Sequence, residues 1–250
     1  MAGEIMNKLG ASLIGSLLFA GALALTGCAE NTTTGSGTCG VLASCFGSTT
    51  TGTGVGPTGQ VVLIRVGTDN LISSDPPLYR KIWVAIVTDT AGRAVSGATV
   101  IFALRSGTAA NPGGFLKGRF VLPAPAAVPQ QWTRQTSAIC ANEDANFNAI
   151  LDAGEDLNGN GLLDPPGVSD VNPTGVTDAS GFAQATISYP KNYAFWAQVT
   201  LEASTGGAGA TPATATFFLD GLATDYSDLT IAPPGQISPF GQSGSCANTL

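Results

Sequence analysis

What most restricts this chain is a series of short runs in which apolar residues recur at every second position. Ile82, Val84 and Ile86 share one face of 82–88, and Val100, Phe102 and Leu104 share one face of 99–104. Ala183, Ala185, Ile187 and Tyr189 alternate with Phe182, Gln184, Thr186 and Ser188. Ala197, Val199, Leu201 and Ala203 alternate with Gln198, Thr200 and Glu202, and Ala213, Ala215, Phe217 and Leu219 with Thr214, Thr216 and Phe218. Successive strand side chains point to opposite faces, so this pattern predicts half-buried antiparallel strands. Residues 60–66 make a sixth strand, and 118–122 are a candidate seventh. Runs this short, broken by turns, predict an all-β chain built as a two-sheet sandwich. With 33 Gly, 15 Pro and only 11% charged residues, the composition opposes a helical bundle. The 44% hydrophobic content still suffices for a core.

The chain has no histidine. Ser-His-Asp and Cys-His nucleophile systems, imidazole bases and His-ligated zinc are therefore excluded. A formal charge of −7 leaves no basic footprint for nucleic acid. The expectation is a non-catalytic protein.

Residues 11–25 (ASLIGSLLFAGALAL) form an uncharged apolar run. The run is short for a membrane span and suits the core of a signal peptide, expected to cover residues 1–27. It ends in Leu25-Thr26-Gly27-Cys28, which resembles the lipobox of bacterial lipoproteins. The resemblance implies that Cys28 is lipidated and becomes the mature N-terminus, anchoring the protein to a membrane through more than one acyl chain. With Ala29 following, it implies the bacterial cell envelope, at the outer membrane and on either its periplasmic or its surface face. Residues 28–59 are rich in Thr, Gly and Ser and read as a flexible tether. Cys28 accounts for the odd count of five cysteines. The other four, Cys39, Cys45, Cys140 and Cys246, allow three pairings. The preferred one is a small Cys39–Cys45 loop and a long-range Cys140–Cys246 tie that pins the 222–250 tail.

Two stretches carry a further resemblance. VTDTAGRAVSGATVIFAL (87–104), with GVTDASGFAQATISYP and FWAQVTLEAS downstream, resembles bacterial immunoglobulin-like domains of the invasin/intimin type. The shared feature is a Thr-Asp-x-x-Gly turn, present as Thr88-Asp89-Thr90-Ala91-Gly92 and as Thr177-Asp178-Ala179-Ser180-Gly181. In each, Asp can bond turn amides while Gly takes a positive φ. The resemblance implies an immunoglobulin-like sandwich over 60–221. It breaks off at 105–173, which is expected to be an insertion.

Within that insertion, Asp144, Asn146, Asn148 and Asp152 recur twelve residues later as Asp156, Asn158, Asn160 and Asp164. The spacing resembles EF-hand and dockerin or thrombospondin-repeat calcium loops, placed here at 144–167. Calcium takes six to eight hard oxygens, and alternate residues of a tight loop aim theirs at one centre. The resemblance implies Asp144, Asn146, Asn148, the Ile150 carbonyl, Asp152 and Glu155 as ligands in the first loop. In the second it implies Asp156, Asn158, Asn160, the Leu162 carbonyl and Asp164. Ala149 stands where such loops use Gly, a source of strain, whereas Gly161 fills that place in the second loop. Gly167 stands at the second loop's twelfth position, so its last ligand must come from elsewhere, with Asp170 and Glu143 the candidates. No Lys or Arg occurs between Arg134 and Lys191, while eight carboxylates do. Such a segment repels itself unless cations neutralise it. The expected cofactor is structural Ca²⁺.

Trp83, Trp132 and Trp196 could form a sugar platform but fit core packing better. The segment FLKGRFVLPAPAAVPQQW is expected to cover a sheet edge. Together these features predict a lipid-anchored structural, adhesion or assembly module, with a protein or glycan partner at the envelope. The alternative is a carbohydrate-binding or pilus/secretion-complex accessory lipoprotein.

Overall fold

Eleven strands carry the described part of the chain, which in this computed structural model comprises residues 50–106, 113–125, 130–207 and 209–249. All of them lie within one unit, Thr38–Leu250. The apolar run 11–25, Cys28, Cys39 and Cys45 lie outside the described residues.

The strands are β1 (Thr51–Val55), β2 (Val61–Asp75), β3 (Leu78–Asp89), β4 (Thr99–Arg105), β5 (Gly114–Val121), β6 (Thr133–Ala141), β7 (Asp170–Val171), β8 (Thr174–Val176), β9 (Phe182–Pro190), β10 (Gln198–Ser204) and β11 (Ala213–Phe218). One short helix, α1 (Thr224–Ser227), follows. One sheet runs β1-β2-β3-β9-β7, a second β11-β10-β4-β8, and β5 pairs with β6 alone. Every pairing is antiparallel.

The inner faces of the two larger sheets share one core. Val62, Ile64, Ala85, Val87, Ala185 and Ile187 from the first meet Val100, Phe102, Val199, Leu201 and Ala215 from the second. Trp83 and Phe217 stack across the sheets at 4.4 Å. The expected inward faces of 99–104, 183–189, 197–203 and 213–219 are the buried ones. Strand β3 turns the other way. Tyr79, Lys81, Trp83, Ala85 and Val87 face inward, and Ile82 is 41% exposed. Both faces of β3 are apolar, so alternation alone could not choose between them.

Buried Lys81 is ion-paired with Asp220 and lies near the Trp83 and Phe217 rings. The pair shields a charge that would otherwise be prohibitive in this core.

Three segments are more structured than their sequences suggest. Residues 51–55, inside the expected tether, form an edge strand. It pairs with 61–65, and Thr53 bridges to Thr211. The 105–173 insertion contains the β5–β6 hairpin and the short β7, where one strand was expected. The 222–250 segment packs along that hairpin as part of the fold. Trp132 N–H donates to the Tyr226 carbonyl, Phe120 N–H to Gln236, and Ser238 N–H to Gly118. Tyr226 and Phe240 enter the core with Phe115, Phe120 and Trp196. A disulfide joins Cys140 on β6 to Cys246, as the preferred pairing had it. Beside it, the fully buried Lys117 Nζ donates to the carbonyls of Ser245 and Asn248. Burial pulls this ammonium's pKa down, and the field of Asp164 opposes the shift.

Both Thr-Asp-x-x-Gly turns have the same geometry. Ala91 and Arg93 amides donate to Asp89 Oδ1, and Ser180 and Phe182 amides to Asp178 Oδ1. Gly92 and Gly181 each sit at φ +79°. The copies meet where Val87 N–H donates to the Gly181 carbonyl.

Candidate metal centre

Between the end of β6 and the start of β7 the chain makes two loops with one backbone design. In the first, Asn148 N–H donates to Asp144 Oδ1 and Ala149 N–H to Asp144 Oδ2. Asn148 N–H also reaches Asn146 Oδ1, and Ile150 N–H donates to Asn148 Oδ1. Twelve residues on, Asn160 and Gly161 amides bond Asp156, Asn160 N–H reaches Asn158 Oδ1, and Leu162 N–H donates to Asn160 Oδ1. The carboxamides also repeat. Asn146 and Asn148 Nδ2 donate to Asp152 Oδ2 at 2.7 and 2.8 Å, as Asn158 and Asn160 Nδ2 do to Asp164 Oδ2 at 2.7 and 2.9 Å.

These bonds arise because short Asx side chains capture amides two to five residues ahead and bend the chain into a coil. The bend needs left-handed backbone at the fourth and sixth positions. Gly159 (φ 74°) and Gly161 (φ 76°) supply it in the second loop, whereas Phe147 and Ala149, both at φ 59°, are forced into it in the first. The strain expected at Ala149 is therefore present, and Phe147 shares it.

The two carboxylates that close the loops are buried. Glu155, 7% exposed, accepts the Ala145 amide on Oε1 and the Asp152 amide on Oε2. Its own N–H donates to the Asp152 carbonyl. The second loop repeats the Asp half of this clasp, made by a residue that precedes the first. Glu143 Oε2 accepts the Asp164 amide at 3.0 Å, and Glu143 N–H donates to the Asp164 carbonyl at 2.8 Å. Glu143 is 2% exposed, and its Oε1 has no hydrogen-bond partner. Burial raises the Glu143 pKa, the hydrogen bond from the Asp164 amide opposes that rise, and the Asp164 charge adds a smaller one. The Leu157 and Asn158 amides also lie near the carboxylate and lower its pKa. Asp152 is shifted the opposite way by its bonds from Asn146 and Asn148.

The structure thus separates the two candidates for the missing twelfth place. Asp170 lies in β7, paired with Ser188, outside the loops. Glu143 stands where Glu155 stands in the first loop. The repeat is best framed as two twelve-residue units that each begin Glu-Asp, 143–154 and 155–166. Sequence spacing places Glu155 at the first loop's twelfth position and leaves Glu143 and Asp170 as candidates for the second, and the fold sets Glu143 against Asp164.

Among the described residues, no three Asp, Glu or Cys side chains are close enough to form a ready-made metal cluster. The oxygens available are of mixed kind. Each Asn Oδ1 accepts one N–H, and an amide oxygen has a second lone pair. The Ile150 and Leu162 carbonyls accept no hydrogen bond among the described residues. Each loop therefore offers three carboxylates, two carboxamide oxygens and one carbonyl, the hard-oxygen chemistry that suits Ca²⁺. The loop pair and the end of β4 line an open cleft of ≈ 520 Å³, with Leu104, Phe147, Leu151 and Leu163 in its walls. The three tryptophans do not form a sugar platform, since all are buried. Comparison with protein families, with curated proteins and with solved structures finds no match to this chain.

Proposed function

We propose that this chain is a non-catalytic, lipid-anchored protein of the bacterial cell envelope, in which an immunoglobulin-like sandwich serves as a structural, adhesion or assembly module. Calcium staples its loop pair. The observation that carries the reading is the duplication of one Asx-lined loop, bond for bond, in a segment of eight carboxylates with no Lys or Arg. Two further features support it. The lipobox-like Leu25–Cys28 supplies an anchor, and the twin Asp turns resemble those of invasin/intimin-type domains. The absence of histidine argues for binding rather than catalysis. Burial of Trp83, Trp132 and Trp196 removes the platform that favoured a carbohydrate partner, so a protein partner fits better.

The test is fractionation of cells expressing the full chain and its Cys28→Ser variant, with radiolabelled palmitate. The reading expects label and protein in the membrane fraction for the natural chain, and neither label nor membrane retention for the variant. Membrane retention of unlabelled Cys28→Ser protein would contradict it. Affinity capture from solubilised envelope, with and without chelator, then tests whether the module's partner depends on calcium.

A further inference from the structure

We infer that the two loops form a swapped pair that takes up two Ca²⁺ ions cooperatively, each twelve-residue unit donating its leading glutamate to the other unit's site. The inference rests on the calcium reading and deepens it. It follows from which residues meet. Glu155 belongs to the unit 155–166, yet its carboxylate clasps Asp152 and Ala145 of the unit 143–154. Glu143 belongs to the unit 143–154, yet its carboxylate clasps Asp164 of the other.

One site therefore comprises Asp144, Asn146, Asn148, Ile150, Asp152 and Glu155. The other comprises Asp156, Asn158, Asn160, Leu162, Asp164 and Glu143. Independent of loop shape, the buried Glu143 Oε1 has no hydrogen bond of good geometry, with the Leu157 and Asn158 amides near its carboxylate, while its sister oxygen is fixed against Asp164. A buried carboxylate oxygen without a well-aligned donor is one that a bound cation would satisfy.

The swap couples the two sites through the shortest possible linkage. In Glu143-Asp144 and in Glu155-Asp156, adjacent residues are ligands of different ions. A cation that fixes Asp144 fixes the backbone that carries Glu143 into the second site, and one that fixes Asp156 does the same for Glu155 in the first. The first ion thus bears part of the ordering cost of the second, which is positive cooperativity.

The test is calcium titration calorimetry on the chelator-stripped full chain and two mirrored pairs of double variants. The natural protein should bind two Ca²⁺ per chain with a Hill coefficient above one. Glu143→Gln with Asp156→Ala removes ligands from one site only and should leave one ion bound. Its affinity should be about fivefold or more weaker than that of the natural pair, from typical coupling energies. Glu143→Gln with Asp144→Ala strikes both sites and should leave none. The mirrored pairs, Glu155→Gln with Asp144→Ala and Glu155→Gln with Asp156→Ala, should leave one and none. Near-ultraviolet circular dichroism confirms that each variant is folded. The reverse pattern, one ion bound by Glu143→Gln/Asp144→Ala and none by Glu143→Gln/Asp156→Ala, would overturn the swap. A Hill coefficient of one with unchanged affinity at the surviving site would overturn the cooperativity. No binding by the natural chain would instead bring down the calcium reading itself, and the pair with it.

Discussion

Exchanging the residues at the sixth position of the two loops should shift stability in opposite directions by similar amounts. Ala149 and Gly161 are equivalent, with φ 59° and 76°. A Cβ added at Gly161 would meet nothing within 4 Å, so Gly161→Ala carries no steric clash and its cost is conformational. An L-residue in the left-handed region costs about 1–2 kcal/mol. The greater freedom that Gly loses on folding offsets about 0.5–1 kcal/mol of this. The remainder is about 0.5–1 kcal/mol, gained by Ala149→Gly and lost by Gly161→Ala. For a domain of roughly 200 residues this corresponds to about 1–4 °C in Tm. Urea unfolding in chelator, followed by tryptophan fluorescence, measures both variants, and the double exchange should return close to the natural value. If Ala149→Gly instead destabilises by about 1 kcal/mol, Ala149 is not left-handed, and the equivalence of the two loops is refuted.

Further expectations follow from the body of the protein. Gly92→Ala and Gly181→Ala both place Ala at φ +79°, but only at Gly181 would the new Cβ meet backbone, at 2.6 Å from the Val87 carbonyl oxygen; thermal melts should show Gly181→Ala as clearly the more damaging. Asp220→Ala should cost about 3–5 kcal/mol in urea unfolding because it strands the buried Lys81, whereas Lys81→Met with Asp220→Leu should recover most of the loss. Asp89 is held below the usual carboxylate range, first by the Arg93 amide and then by the Arg93 side chain. Its contribution is thus present above the unfolded carboxylate pKa and lost as pH falls through the lower folded value. An acid titration of stability should show Asp89→Asn losing part of that dependence.

What sequence could reveal depended on how local the physics was. The strands 99–104, 183–189, 197–203 and 213–219 alternate legibly because their outward faces are mostly polar or small, Ile101 and Phe218 apart, and their inward faces are as expected. Strand β3 offered two apolar faces, and the one chosen places Lys81 inside, a partnership settled by Asp220 far along the chain. Strand β6 was missed because most of TRQTSAICA is exposed, leaving no buried face to create a pattern. The Thr-Gly run at 51–55 resembles a linker in composition, yet Gly52 is required where a Cβ would lie 2.2 Å from the Ala213 backbone. The Asx loops were legible because their bonds span two to six residues. The Glu143 clasp was legible only as one of two candidates, because it joins residues 21 apart and the choice over Asp170 appears only once both loops have formed.

Thermal unfolding of the full chain in millimolar CaCl₂ and in chelator tests the central claim most directly. At a calcium concentration about 100-fold above the dissociation constant, binding to the folded state alone adds about 2.7 kcal/mol per site. The account therefore predicts a rise in Tm of several degrees with calcium, absent when Asp144→Ala and Asp156→Ala are combined. Superimposable melting curves with and without calcium would contradict it.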